Sequence, residues 1–152
     1  EEFMNKATQE FDYIIIDIGS ISGLSNRLTD RRWTSIVTTW CCDQADELMI
    51  VSRADHLGHY RLTQVIALIQ QTSIRANLSF TQNMKSAGKR GDAEMARFLT
   101  ATTALKPIRV RSLKEESRSV KAAEDEHATL VETNERSNLR KAIAECAREI
   151  TS

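Results

Sequence analysis

The sequence predicts an α/β protein built on a mostly parallel sheet with flanking helices, resembling half of a doubly wound fold. One observation is the run of three isoleucines at residues 14–16, which ends at Asp17. A continuous β-branched run is typical of a strand that is buried on both faces, as in a parallel sheet covered by helices. A second observation is that short apolar runs alternate with helical segments along the chain, which predicts parallel strands joined by right-handed crossovers.

The elements follow from this alternation. The predicted strands are residues 12–17, 47–51, 78–81 and 108–110. The predicted helices lie around residues 30–41, 62–69, 95–99, 119–131 and 136–150. In the first helix, Trp33, Ile36, Val37, Trp40 and Cys41 recur at helical spacing, with Asp30 as a candidate cap. No internal repeat or low-complexity linker interrupts this order.

Composition indicates an ordinary globular protein of one domain or part of one. The chain has 152 residues, with 21 basic and 21 acidic side chains, and its net charge of zero offers no overall attraction to nucleic acid or anionic lipid. We expect no membrane span, because every apolar run is too short. Cys41, Cys42 and Cys146 lack metal-ligand spacing and predict reduced thiols in a cytoplasmic protein. Because the chain begins with two glutamates rather than methionine, we expect a piece of a longer protein.

The first predicted strand ends in a pattern typical of a magnesium–nucleotide site. Asp17 follows the strand and Gly19 supplies a flexible turn. In open α/β sheets, ligands bind beyond the carboxyl ends of the strands, and Mg²⁺ prefers oxygen ligands shared with phosphates. However, no glycine-rich loop ending in a lysine, which would hold the phosphates, precedes Phe11 in the sequence.

The segments that follow carry a family resemblance. Residues 42–51, CDQADELMIV, resemble the stretch after the Walker B strand in the ParA/MinD class of P-loop ATPases, and residues 53–57, RADHL, resemble the next strand-to-helix loop. Residues 133–142, TNERSNLRKA, are similar to the ending of the CpaE/TadZ branch, which is associated with pilus assembly and secretion. The order of these segments spans nearly the whole chain, so residues 1–152 resemble the C-terminal part of such an ATPase domain.

The resemblance implies a nucleotide site and a switch function. It implies that Asp17 supports Mg²⁺ through water, that Gly19 and Ser20 lie in a loop sensing the γ-phosphate, and that Asn83 reads the adenine edge. It also places Glu116 in the later base-binding loop. The implied cofactors of the intact protein are ATP and Mg²⁺. The implied activity is ATP-driven dimerisation that positions pilus, secretion or partitioning machinery, with self-association or the rest of the parent protein as partners.

Three departures leave an alternative open. Lys114 replaces a proline usual in the base-binding loop, His127 replaces a glycine usual in the following helical region, and the phosphate loop is missing. These departures favour a non-catalytic interaction or scaffold domain. In either case, we expect this chain alone to be inactive as an ATPase.

The remaining candidate sites have simpler interpretations. His56 and His59 share a helical turn but lack a third metal ligand at a matching position. Basic residues near 85–90 and 109–121 are interleaved with acidic ones, which predicts a solvated face rather than a nucleic-acid site. The apolar side of the last helix, carrying Leu139 and Ile143, is expected to pack on the sheet.

Overall fold

A computed structural model describes residues 2–21, 33–72 and 74–151 of the chain. Their elements, in chain order, are α1 (Glu2–Glu10), α2 (Trp33–Gln44), β1 (Glu47–Arg53), α3 (His56–Gln70), β2 (Asn77–Lys85), α4 (Gly88–Thr103), β3 (Arg109–Lys114), α5 (Ser117–Asp125), α6 (Leu130–Thr133) and α7 (Asn138–Ile150).

The three strands form a parallel sheet in the order β1-β2-β3, which confirms the predicted α/β class. Leu48 pairs with Leu78 and Phe80 pairs with Val110, so β2 lies in the middle. Helices α3 and α4 connect consecutive strands, as the alternation predicted.

The core lies between one face of the sheet and helices α3 and α4. Leu48 and Ile50 of β1 pack with Phe80 of β2 because alternate residues of a strand face the same side. The rings of Phe80 and Phe98, the latter on α4, meet edge to face with centroids 6.5 Å apart. Leu62, Ile66 and Ile69 of α3 belong to the same buried cluster, as does Cys42 of α2.

Helix α7 covers the opposite face of the sheet at β3. Arg111 pairs in register with Thr81, one residue along from the Phe80–Val110 pair, so its side chain leaves the sheet on the other side. It forms an ion pair with Glu149 of α7, with 2.8 Å between Nη2 and Oε2, and a contact with the Cys146 sulfur. The sheet is therefore flanked on both faces. The last helix lies on it as expected, but it contacts the sheet through Glu149 and Cys146, and Ile143 of its apolar side is 46% exposed.

The predicted strand at residues 12–17 is wrong: residues 11–21 contain neither helix nor strand. Tyr13 donates a hydrogen bond to the carbonyl of Thr151 (3.0 Å). Ile18 and Ile21 pack against the core, whereas Ile15, between Tyr13 and Ile18, is 88% exposed. A strand is stabilised by backbone hydrogen bonds to a neighbouring strand. Among the described residues, the sheet makes no such hydrogen bonds to this segment. Strand propensity without pairing does not make a strand.

Other element bounds differ more modestly from the prediction. Helix α1 was not predicted, and the proposed cap at Asp30 falls outside the described residues. Helix α4 extends from Gly88 to Thr103, well beyond the short apolar signal around Phe98. None of the described helices is long and apolar enough to cross a membrane.

Candidate functional site

The carboxyl ends of the parallel strands bring one predicted site residue, Asn83, to an edge of the sheet together with the last residues of β1 and β3. Arg53 at the end of β1 pairs in register with Asn83 of β2, and the backbone N–H of Ala54 donates to the Asn83 carbonyl at 2.8 Å. Lys85 of β2 pairs in the same way with Lys114, the last residue of β3. Ser52 and Asn83 therefore lie together at this edge.

Asn83 occupies an irregular point of the central strand. The register between β2 and β3 shifts between Gln82 and Lys85, and Met84 has a φ of 60°. The Asn83 side-chain oxygen accepts a hydrogen bond from the Met84 N–H at 2.8 Å. The amide nitrogen of Asn83 has no hydrogen-bond partner among the described residues, so it is the group that could donate to a base.

Asp17 and Gly19 form a local turn. The Gly19 N–H donates to Asp17 Oδ1 at 2.8 Å, and Gly19 has a φ of +66°, a conformation that strains residues with a side chain. Asp17, Gly19 and Ser20 are exposed. Within the described ranges, no hydrogen bond or ion pair joins Asp17 to Asn83 or Glu116. The structure therefore shows a local turn at Asp17 but does not bring these predicted site residues into contact.

Glu116 holds the start of α7. Its carboxylate accepts hydrogen bonds from the Ser137 hydroxyl and from the backbone N–H groups of Asn138 and Leu139, the last two at 3.3 Å. The Ser137 hydrogen bond is the largest influence on the Glu116 pKa and lowers it. Desolvation, the next largest, raises the pKa, and the two backbone donors lower it further, so the net shift is downward. Both oxygens are engaged, so the structure gives Glu116 a capping role, and base binding there stays a prediction.

An ion pair that the sequence did not reveal crosses the sheet near the amino-terminal ends of its strands. Arg109 of β3 binds Glu47 of β1 across the central strand. Burial is the largest influence on the Glu47 pKa and raises it, but the nearby Ser79 hydroxyl, the Arg109 hydrogen bond and the arginine charges together lower it. The partners are 62 residues apart in the chain, and no local pattern marks them as a pair.

The two cysteines of α2 are buried thiols rather than exposed nucleophiles. All three cysteines are free, and Cys41 and Cys42 are buried. Burial raises the pKa of the Cys42 thiol, and a protonated thiol is a poor nucleophile.

A cavity of about 200 Å³ opens at the same sheet edge, on the side of α3 and α4. His56 and His59 lie in its wall together with Gln82 and Glu94. Within the part of the chain that the structure describes, no group of three or more potential metal ligands comes together, so the two histidines have no metal site there. The sequence analysis did not identify Gln82 and Glu94 as candidate site residues. The one local signal was the spacing of Arg90, Glu94 and Arg97, which are four and three residues apart and therefore share one face of a helix.

No protein-family model and no curated protein matches the chain. The ParA/MinD resemblance therefore rests on the sequence segments quoted above and on their order.

Proposed function

We propose that this chain is the C-terminal part of a ParA/MinD-type ATPase of the CpaE/TadZ branch, and that it supplies the base-side wall of a Mg-ATP site. The observation that carries the proposal is the position of Asn83. It lies at the carboxyl end of the central parallel strand, beside the end of β1, with an amide nitrogen left to donate. This edge is where open α/β sheets bind ligands.

The residues fit the proposed cofactor in part. Asp17 is an exposed carboxylate in a turn stabilised by Gly19, which suits a residue that holds a hydrated Mg²⁺ through water. Bound ATP would supply a γ-phosphate whose contacts order a loop and whose hydrolysis releases it. Residues 1–152 contain no glycine-rich loop ending in Gly-Lys-Ser or Gly-Lys-Thr, so the phosphates must be held by another part of the parent protein.

In this proposal the intact protein works in the cytoplasm as a dimer that positions pilus, secretion or partitioning machinery. Cys41 and Cys42, both free and buried, are compatible with a reducing compartment. The interleaved acidic and basic side chains argue against nucleic acid as the partner.

The test compares this chain with the protein in its full natural length. Calorimetry should detect no saturable Mg-ATP binding by residues 1–152, because the backbone amides and lysine of a phosphate loop are missing. The full-length protein should bind Mg-ATP, and Asn83→Ala should weaken binding by about tenfold, the loss of one good hydrogen bond. Asn77→Ala is the matched control, since Asn77 is an exposed asparagine at the other end of the same strand.

Two results would oppose the proposal. Tight Mg-ATP binding by residues 1–152 would show that the site needs no phosphate loop. If the full-length protein fails to bind ATP, or if the two asparagine substitutions weaken binding equally, then Asn83 does not contact the base of a bound ATP.

A non-catalytic interaction domain is the second candidate. It is favoured by exposed apolar side chains in residues 11–16 and by the engagement of both Glu116 oxygens in capping. A full-length protein that associates with itself or a partner, and binds no nucleotide, would decide for this function.

A further inference from the structure

The cavity beside α3 and α4 is separate from the proposed nucleotide residues. Asp17, Gly19, Ser20, Asn83 and Glu116 are not among the residues that line it. Its floor includes Gln82 of β2 and Phe98 of α4, and one wall is the first turn of α3. With a volume of about 200 Å³, it is smaller than the roughly 300–1,000 Å³ of sites for drug-sized ligands. It would hold only a compact molecule.

Two residues that line this cavity each carry a buried acceptor atom without a partner. Gln82 is 3% exposed, and its Oε1 atom has no hydrogen-bond partner. The Glu94 side chain is 13% exposed; its Oε1 accepts from Arg90 Nε at 3.1 Å, whereas its Oε2 is buried without a partner. Buried polar atoms are normally hydrogen-bonded, so two orphan acceptors on residues that line one cavity indicate that a donor is missing there. A carboxylate oxygen favours a protonated amine over a neutral donor.

The rim of the cavity carries the opposite charge. Arg53 is already paired with Asp55, at 3.0 Å between Nε and Oδ2, and Arg90 is paired with Glu94. Arg97 lies three residues after Glu94 on the same face of α4, is exposed, and has no ion pair within the described ranges. Its guanidinium is therefore available to bind a carboxylate.

We propose that this cavity binds a small zwitterion, a molecule with a protonated amine and a carboxylate a few bonds apart. The ammonium group is held by the side chains of Glu94 and Gln82, and the carboxylate is held by Arg97 at the rim. This site is independent of ATP binding and of the proposed ATPase function.

The test uses three matched probes on this chain: γ-aminobutyrate, butylamine and butyrate. The first has both charged groups, and each of the others has one. In ¹⁵N-labelled protein, γ-aminobutyrate should shift the Gln82 side-chain amide and Arg97 Nε resonances saturably, with an affinity about tenfold or more above that of either single-charge probe. A cavity that holds only water would give no saturable shift, and butylamine binding as tightly as γ-aminobutyrate would remove the carboxylate from the proposal.

Three variants locate the binding residues. Glu94→Gln should weaken γ-aminobutyrate binding by about tenfold or more, because the charge that favours the ammonium is lost while the side-chain shape is kept. Arg97→Gln, on an exposed side chain that should not affect folding, should weaken γ-aminobutyrate binding and leave butylamine binding unchanged. Glu145→Gln on α7 is the control for a lost acidic charge and should bind as the unmodified chain does. Unchanged binding in both cavity variants, with normal thermal unfolding, would overturn the proposal.

Discussion

Glu116 joins the end of β3 to the start of α7 through one carboxylate. Its Oε2 accepts from the Ser137 hydroxyl and the Leu139 N–H, and its Oε1 accepts from the Asn138 N–H. The first N–H groups of a helix have no partner within the helix, so an acceptor from another segment both satisfies them and fixes where the helix begins. Ser137 adds a second acceptor to this cap by binding the Arg140 N–H at 3.0 Å.

We expect Glu116→Gln to lower the melting temperature at neutral pH and to flatten its dependence on acid. The folded-state pKa of Glu116 is lowered, mainly by the Ser137 hydrogen bond. Its contribution is therefore complete above the unfolded glutamate pKa of about 4.3 and is lost as the pH falls through the lower folded value. Thermal unfolding should be measured across the acidic range.

Glu124→Gln is the matched control, since Glu124 is exposed on the neighbouring helix α5. It should unfold as the unmodified chain does. If the two variants show the same acid profile, Glu116 contributes nothing specific through its charge.

At the scale of the elements, α3 lies so close to the end of β1 that only glycine fits between them. A Cβ at Gly58 would lie 2.2 Å from the carbonyl oxygen of Arg53. The Ser52 hydroxyl also donates to the Gly58 carbonyl at 3.0 Å, and Asp55 Oδ1 accepts from the Gly58 N–H at 2.6 Å. These contacts fix the first turn of α3, which forms one wall of the cavity.

We expect Gly58→Ala to destabilise the protein, although alanine is the better helix former. In an open helix the change would gain up to about 1 kcal/mol. Here the new methyl group must displace backbone, and overpacking of this kind costs about 1–3 kcal/mol. The free energy of unfolding in urea should fall. Gln64→Ala, at an exposed position of α3, should leave it unchanged or raise it slightly, and a Gly58→Ala protein as stable as that control would contradict the close packing.

At the scale of the whole molecule, two features are left uncovered among the described residues: one edge of the sheet and the apolar side chains of residues 11–16. Among the described residues, no strand pairs with β1 on the side away from β2. The segment at residues 11–16 exposes four large apolar side chains, those of Phe11, Tyr13, Ile15 and Ile16. Open strand edges and exposed apolar patches both promote association.

We expect this chain to self-associate at high concentration, with residues 11–16 in the contact. Light scattering should show a mass above that of the monomer, and Ile15→Lys should shift the protein toward the monomer. Val131→Lys on α6 is the control, because Val131 is also exposed but lies in another part of the molecule. A stable monomer before substitution would indicate a complete domain and favour the interaction-domain alternative.

The elements predicted correctly from the sequence are those whose residues form a recognisable local pattern. The apolar runs of β1 and β2 and the helical spacing within α3 and α7 are local patterns, so the α/β class and the parallel order followed from them. The position of Asn83 at the carboxyl edge followed in the same way, because parallel strands align their ends. The bulge after Gln82 did not, since it depends on how β2 meets β3.

The sequence by itself determined the alternation of strands and helices, and with it the sheet and the edge where Asn83 lies. Only the tertiary structure decided that residues 12–17 form no strand, that Glu116 caps α7 and that Gln82 and Glu94 share a cavity. The physical reason is the sequence separation over which each effect acts. Propensity and amphipathic spacing act between residues a few positions apart, whereas strand pairing, capping across 21 residues and burial of an acceptor depend on which distant segments meet.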